Sequence, residues 1–484
     1  MIATTTDSAL MRGNIAQRQG LYAQAMHAYG EALQALPELA HVIVPNMVQV
    51  RRKYCQTRLA TKPLRVAVCG WELAHNAAGR AYTLAMLYQR FASTELIGNL
   101  HTKRGQALWE PIRHTALPKH TILLDNWARF LDKAIDLVTL HPYDVVHLSK
   151  PRAPNIIYGL LYKLIWGAKV LVDVDDEELA FVRAQTPITI ADYLEQHQQL
   201  PALDQLEAAD WTRIAVGLAG QFDGVTVSNP ALQARYGGEI VRHARDEALY
   251  QNSPALRQQG RAKHGVAKDK KVVLFFGTPK AHKGLLETAQ AIASLARNDV
   301  LFVIVGNFLD AGFKQQLQAV AGVQYQFIGN QPFEAAPEIV AMADIVILLQ
   351  QNDSPIATYQ LPAKLGDALA MDVLVLATPT PAIVDACEAG AILPVLPGQL
   401  PQALGQVLDN PEKARSTKEA ARRYFERTTS FTHNGQVLQT QLAATANRSL
   451  APALQPLTAQ LKTPWLQALL ATCSGASALP YSHA

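Results

Sequence analysis

The stretch "GTPKAHKG", residues 277–284, places Lys280 and Lys283 between an apolar run, "KVVLFF", and an amphipathic helical pattern opening at Gly284. A helix N-terminus carries N–H groups without intrahelical partners and a partial positive charge, so added ammonium groups there suit a bound anion. A solvated turn accommodates lysine equally well, and the segment by itself leaves both readings open.

Similar junctions recur. After "LRVAVC" comes "GWELAHNAAGRAYTLA", with His75, Asn76, Gly79 and Arg80 at a helix start. Gly79 could let backbone N–H groups approach a phosphate and Arg80 could grip it with two parallel bonds, while ordinary turn and capping chemistry needs neither role. The loop lacks G-x-G-x-x-G, which argues against a dinucleotide site. The run "YDVVHL" ends in Ser149, Lys150, Pro151 and Arg152. The next ends in "DVDDEE", where Asp173, Asp175, Asp176, Glu177 and Glu178 form the densest acidic cluster of the chain. Such carboxylates can hold a divalent cation, accept a proton or bind sugar hydroxyls, or they can simply be solvated. Asp173 and Asp175 share one face by strand alternation and Asp176 points elsewhere. In "DSPIATYQLPAKLGDALAMDVLVLAT", Gln360, Lys364 and Asp367 stand between a strand and a helix, with Lys364 and Asp367 neighbours at i, i+3. They could serve a phosphate and a ribose, or form a surface ion pair.

These junctions need sheets to position them. From residue 64, short β-rich runs alternate with helical stretches: residues 64–69, 143–148, 168–174 and 223–227 read as buried parallel strands, with "GRAYTLAMLYQRF" and "PNIIYGLLYKLIW" as helices between them. The polar span 244–270 suits an interdomain connection. A second series follows in "KVVLFF", "VLFVIVG", "YQFIG", "DIVILL" and "VLVLAT", with helices beginning near Gly284, Asp310, Phe333 and Ala363. Two consecutive β/α series predict two Rossmann-like doubly wound α/β domains facing each other across a cleft, and ligands in such sheets bind where strands end. Residues 7–36 read as a helical hairpin around Gly20, closed by Pro37. Its Gly13, Gly20, Tyr22, Ala25, Tyr29, Ala32 and Pro37 resemble one tetratricopeptide repeat. A single repeat does not bury its own apolar face, so it packs on the body or on a protein partner. The expected organisation is a helical extension over 1–60, one Rossmann-like domain over 61–245, a second over 246–410, and C-terminal helices over 411–484, where "TPWLQALLATC" is apolar enough to pack on the body.

Taken in order, the motifs of residues 64–410 resemble those of a GT-B glycosyltransferase, most closely the retaining enzymes of glycosyltransferase family four. That family grips its nucleotide sugar with a glycine-arginine/lysine segment and a later E-x7-E segment. The resemblance implies that the domain over 61–245 is the acceptor domain and that over 246–410 the nucleotide-sugar domain. The resemblance implies that Lys283 binds the diphosphate, with Gly277, Lys280 and Gly284 around it and Thr278 where arginine is usual. It implies that Asp367 binds the ribose hydroxyls, with Lys364, Leu365 and Gln360 completing the donor side, and that Tyr359 replaces the first glutamate. "HNAAGR" resembles the family's glycine-containing loop, which assigns Gly79 and Arg80 to the donor. Ser149 stands where an active-site histidine is frequent. Lys283, Lys364, Asn76 and Asp175 are the expected catalytic groups, and His75, Ser149, Lys150 and Arg152 the acceptor side.

The implied reaction moves a sugar from a UDP- or GDP-sugar to a glycan, lipid-linked or protein acceptor, with retention. Lysines neutralise the leaving diphosphate, so no cofactor or metal is required, although the acidic cluster leaves a divalent cation open. Two alternatives stand beside it: a non-catalytic scaffold docking a protein through residues 1–60, and a nucleotide-sugar epimerase. With 44 basic and 40 acidic residues and no long single-sign run, the chain has no track for nucleic acid. Cys55, Cys69, Cys387 and Cys473 lack C-x-x-C spacing, which argues against a cysteine zinc site and a disulfide framework and leaves reduced, buried thiols. No signal core or membrane-length apolar run is visible, so the expected location is cytoplasmic, with peripheral membrane contact left open.

Overall fold

The computed structural model describes residues 3–59, 63–350, 355–461, 463, 465–467 and 469. A first sheet contains β1 (Arg65–Gly70), β2 (Ser93–His101), β3 (Lys119–Leu124), β4 (Val145–Ser149), β5 (Lys169–Val174), β6 (Gly224–Val227) and β7 (Glu239–Ile240). Its order is β3-β2-β1-β4-β5-β6-β7, and all its pairings are parallel. A second sheet contains β8 (Lys271–Phe276), β9 (Val300–Val305), β10 (Gln324–Ile328), β11 (Ile345–Leu348), β12 (Leu374–Ala377) and β13 (Leu393–Pro394), in the parallel order β10-β9-β8-β11-β12-β13.

Each sheet is buried on both faces, as strand alternation requires. In β1, Val66 and Val68 enter one apolar cluster while Ala67 and Cys69 enter another on the opposite face. In β8, Val272 and Leu274 pack on one side and Val273 and Phe275 on the other. This is the expected GT-B-like architecture. Strands β2, β3, β7 and β13 complete the sheets beyond the runs read from sequence, and the span 244–270 contains the helix Pro254–Lys263, capped by Ser253.

Two segments connect the halves. The chain leaves the first sheet through residues 241–250 and returns through 425–431. The two crossings run side by side, the Arg245 amide donating to the Thr429 carbonyl at 2.9 Å and the Phe431 amide to the Arg245 carbonyl at 2.9 Å. The helix Arg415–Tyr424 thus buries Ala421 and Tyr424 against the second sheet, whereas Phe431–Ala444 buries Leu438 and Leu442 against the first.

The hairpin at the N-terminus comprises α1 (Ala3–Arg18) and α2 (Tyr22–Ala35), and a third helix, α3 (Ala40–Leu59), follows it. All three pack on the first sheet's outer helices: Met26, Tyr29, Met47 and Val50 share a cluster with Phe130, Ile135, Tyr158 and Trp166. The Cys55 thiol donates to the Trp166 carbonyl and Arg58 binds Asp144. Of the expected helix over 463–473, Trp465, Leu466 and Leu469 join this cluster, and the remainder from residue 470, Cys473 included, lies outside the described residues. Cys55 and Cys69 are buried thiols, and Cys387 is half-buried. Among the described residues, no helix is long and apolar enough to cross a membrane.

Gly13 sets the spacing of the hairpin, since a Cβ there would lie 2.5 Å from the ring of the fully buried Tyr29. Overpacking of that kind costs about 1–3 kcal/mol. Gly13→Val is therefore expected to lower stability by that amount in chemical denaturation, and unchanged stability would show that α1 does not hold its place through this contact.

Candidate active site

Strand ends of the first sheet converge on its carboxylates. Gly70, Ser149 and Asp173 lie in register at the ends of β1, β4 and β5. Arg80, from α4 (Ala78–Tyr88), grips Asp173 with two bonds of 2.9 and 2.7 Å and donates to the Val241 and Arg242 carbonyls at 2.7 and 3.0 Å. Its guanidinium, expected at the donor phosphate, is buried and bonded to these protein acceptors. The Gly79 amide donates to the Asn76 carbonyl at 3.1 Å, and a Cβ there would lie 3.3 Å from Trp109.

Lys150 occupies the left-handed region with φ 78°, unusual for a side chain of its size. Neighbouring bonds over-determine this conformation: the Lys150 amide donates to the Asp173 carbonyl at 3.0 Å, and Asn155 Nδ2 donates to the Ser149 and Lys150 carbonyls at 2.6 and 3.0 Å. The Lys150 ammonium consequently points into the acidic cluster, bonding Asp176, with Asp175 at 3.4 Å and Glu178 at 3.5 Å. Burial opposes its charge, but Asp176, Asp175 and Glu178 more than offset this and hold it protonated. Asp175 also meets His243 Nε2 at 2.8 Å and Arg80 at 3.7 Å. Burial would raise its pKa, yet His243, Lys150 and Arg80 hold it well below the usual carboxylate range. Both groups expected near the reaction are thus charged, buried and paired.

Around the rim, His75, Arg152 and Arg104 gather on Trp71, with the guanidinium carbons of Arg152 and Arg104 at 5.2 and 4.8 Å from its ring. Arg152 is anchored by Glu178. Asn76 is exposed and its Oδ1 lies 3.2 Å from His75 Nδ1. Burial, chiefly, lowers the His75 basicity. Ser149 is buried at the end of β4.

In the second domain, Gly277–Gly284 follows the end of β8. Lys280 is exposed and Thr278 half-buried, and residues Ala281–Lys283 make a short turn before the helix Leu285–Ser294. Gly284 opens that helix with φ 68°, and a Cβ would lie 2.3 Å from Leu349, so only glycine fits. No side chain caps the helix. Lys283 Nζ donates to Gln360 Oε1 at 2.9 Å, and among the described residues no carboxylate stands at ion-pair distance from it. Burial makes its charge harder to hold and Lys280 adds repulsion, with Asp176 opposing both.

Lys364 lies over the Phe276 ring at 3.9 Å, at the tip of β8, with Asp367 Oδ2 at 3.5 Å. Leu365 belongs to the core. Asp367 is buried, gripped by both nitrogens of the Arg245 fork and by Tyr250 OH at 2.8 Å. Its oxygens, expected at the ribose hydroxyls, here serve the interdomain crossing. Burial acts to raise its pKa, but Arg245 and Lys364 pull it down to about 2.

The two domains meet over these residues. Gln360 bridges them, accepting from Lys283 and donating to Asp176 Oδ1 at 3.4 Å. Tyr359 packs against Val174, Val227 and Leu232, and its carbonyl accepts from Asn229 at 2.9 Å. Phe333, from the second domain, packs on Tyr82 and Trp109 with ring centroids at 5.2 and 5.7 Å. Sequence reading left Phe333, His243, Arg245 and Tyr250 without roles. The last three lie in the polar crossing, where His243 and Arg245 alternate in "VRHARDE", and that alternation was the one signal that both are held by partners across an extended segment.

Residues 257–424 match the family model described as glycosyl transferases group 1. No curated protein sequence is similar enough to match. Among solved structures, the chain resembles Anabaena HepE in complex with UDP and glucose (TM-score 0.57, 16% identity, 79% of this chain and 100% of that one). It also resembles sucrose-phosphate synthase from Thermosynechococcus elongatus (0.56, 16%, 79% and 100%). A third is WaaG, a glycosyltransferase involved in lipopolysaccharide biosynthesis (0.52, 15%, 78% and 99%). At such identities the likeness establishes the fold alone.

The Asp367 pairing generates a pH dependence. Its folded-state value of about 2 lies below the ordinary 3.8, so its contribution is present above the ordinary value and is lost as pH falls through about 2. The stability gap between the native chain and Asp367→Asn is expected to shrink by about 2 kcal/mol between about pH 5 and pH 2. A gap that does not change over that range in urea titrations would remove the ion pair as its source.

Proposed function

We propose that this chain is a glycosyltransferase that transfers a sugar from a nucleotide-sugar donor, held by the second domain, to a glycan, lipid-linked or protein acceptor approaching from the first, with retention. The observation that carries this reading is Lys283. It is a half-buried ammonium group beside an uncapped helix N-terminus, bonded to a neutral amide oxygen and crowded by Lys280. A half-buried cation with no carboxylate of the described residues at ion-pair distance is costly to keep charged, and an anion at that position relieves the cost. The group 1 family match over residues 257–424 and the UDP complex of HepE support a nucleoside diphosphate as that anion.

Departure of the diphosphate develops negative charge on the leaving oxygen. Lys283, Lys364 and the N-terminus of the helix Leu285–Ser294 are placed to stabilise it. Lys150 is locked among three carboxylates and Asp175 is held ionised by His243, so neither is a free proton carrier; they form the charged floor of the site. The acceptor side falls to the half-exposed rim of His75 and Arg152 on Trp71. Donor access requires the Lys283–Gln360–Asp176 bridge to part, and reclosure excludes water.

A second reading, a non-catalytic scaffold with this fold, is favoured by Thr278, by Tyr359 packed into the first domain, and by Asp367 committed to Arg245. A panel of UDP-, GDP-, ADP- and dTDP-sugars separates the two. A transferase is stabilised by at least one donor, whereas a scaffold melts at the same temperature with all of them. With a verified donor, Lys283→Ala is expected to slow turnover about 100- to 1000-fold. Equal turnover by that variant would remove the central assignment.

A further inference from the structure

At the opposite end of the first sheet from the cleft, three side chains distant in sequence meet. Glu95 lies near the start of β2, His120 on the edge strand β3, and His141 directly follows the helix Phe130–Leu140. Register places Glu95 beside Ala67 and His120 beside Ile97, so both leave the sheet on the face carrying Ala67, Cys69 and Ile97. The helix Phe130–Leu140 packs on that same face and delivers His141 to them. The two imidazoles lie with centroids 3.9 Å apart and planes at 32°, and His120 Nε2 is 3.1 Å from Glu95 Oε2. One ligand atom from each of the three residues can be chosen so that all lie within 4.8 Å of one another.

We propose that Glu95, His120 and His141 bind a divalent transition metal of the zinc class, which clamps the edge strand β3 to β2 and to the turn before β4. Two imidazoles and one carboxylate are a donor set that suits zinc, with a fourth position left to water. The supporting residues fit this role. Tyr143 OH donates to Glu95 Oε2 at 2.5 Å, which orients the carboxylate as an outer hydrogen bond does at metal sites. The His141 backbone is fixed, its amide donating to the Leu137 carbonyl at 3.0 Å and its carbonyl accepting from Tyr162 OH at 3.1 Å. Arg65, the nearby cation, is turned onto the Tyr143 ring, 5.4 Å from its centroid. The side chains of His120 and Glu95 are 35% and 22% exposed, which gives an ion a path from solvent.

The experiment uses the full chain, stripped with a chelator and titrated with Co²⁺ and then Zn²⁺. One equivalent of Co²⁺ is expected to bind with the visible bands of a low-coordinate nitrogen and oxygen site. One equivalent of Zn²⁺ should displace it and raise the melting temperature. The His120→Ala, His141→Ala double variant is expected to lose the bands, and Tyr143→Phe to weaken Zn²⁺ binding about 10- to 100-fold. Glu95→Gln preserves side-chain shape and gives the same test should the double variant fail to fold. Absence of saturable one-equivalent binding, thiolate charge-transfer absorption, or binding that survives the loss of these ligands would each overturn the proposal.

Discussion

Carboxylates taken out of water must be matched by cations, and the first sheet ends in three of them within four residues. Asp173, Asp175 and Asp176 draw Arg80 from α4, Lys150 from the end of β4, and His243 from the interdomain crossing. That neutralisation determines much else. It uses the left-handed Lys150 to aim an ammonium at the acids, ties the crossing segment to the sheet, and leaves one Asp176 oxygen to accept from Gln360 of the other domain. A second fork, Arg245 on Asp367, repeats the device on the opposite side. Removing one member of such a pair strands a buried charge, which typically costs several kcal/mol, so these groups are framework before they are chemistry.

With those charges matched, the cations that remain for a ligand stand out by elimination. Lys283 has a neutral partner, and Lys364 shares Asp367 with Arg245 while resting on the Phe276 ring. Both lie where β8 ends, at the edge that an open parallel sheet offers to ligands. Phe333 and Gln360 reach over this edge from one domain onto the other, Phe333 onto Tyr82 and Trp109 and Gln360 from Lys283 to Asp176.

Much of this was legible in the sequence. The buried strands of both sheets were visible because runs such as "KVVLFF" and "AKVLVDV" are apolar on both faces, and helices were expected near Gly284 and Ala363. Strand β2 was not, because "STELIGNLH" mixes polar residues into a buried strand. Asn99, for example, is satisfied only in the fold, by the Trp71 carbonyl and Tyr158 OH. Strand β3 is a half-exposed edge without a sustained apolar pattern. Arg80, Gly79 and Asp367 stand at the expected junctions, but their partners come from Asp173, Asn76 and Arg245, and which acceptor an arginine meets is decided by tertiary packing. Residue type and local position identified groups able to bind phosphate or ribose; burial decided which were already taken. The Glu95, His120 and His141 cluster was invisible for the same reason, since it exists only through strand register and one helix end.

The account rests on Lys283 being the cation that a diphosphate claims. A crystal structure of the chain with UDP tests this most directly. The pyrophosphate is expected within hydrogen-bond distance of Lys283 Nζ and the first amides of the helix Leu285–Ser294, with the bond from Lys283 to Gln360 replaced. UDP bound elsewhere, or a Lys283–Gln360 bond unchanged beside a bound nucleotide, would contradict it.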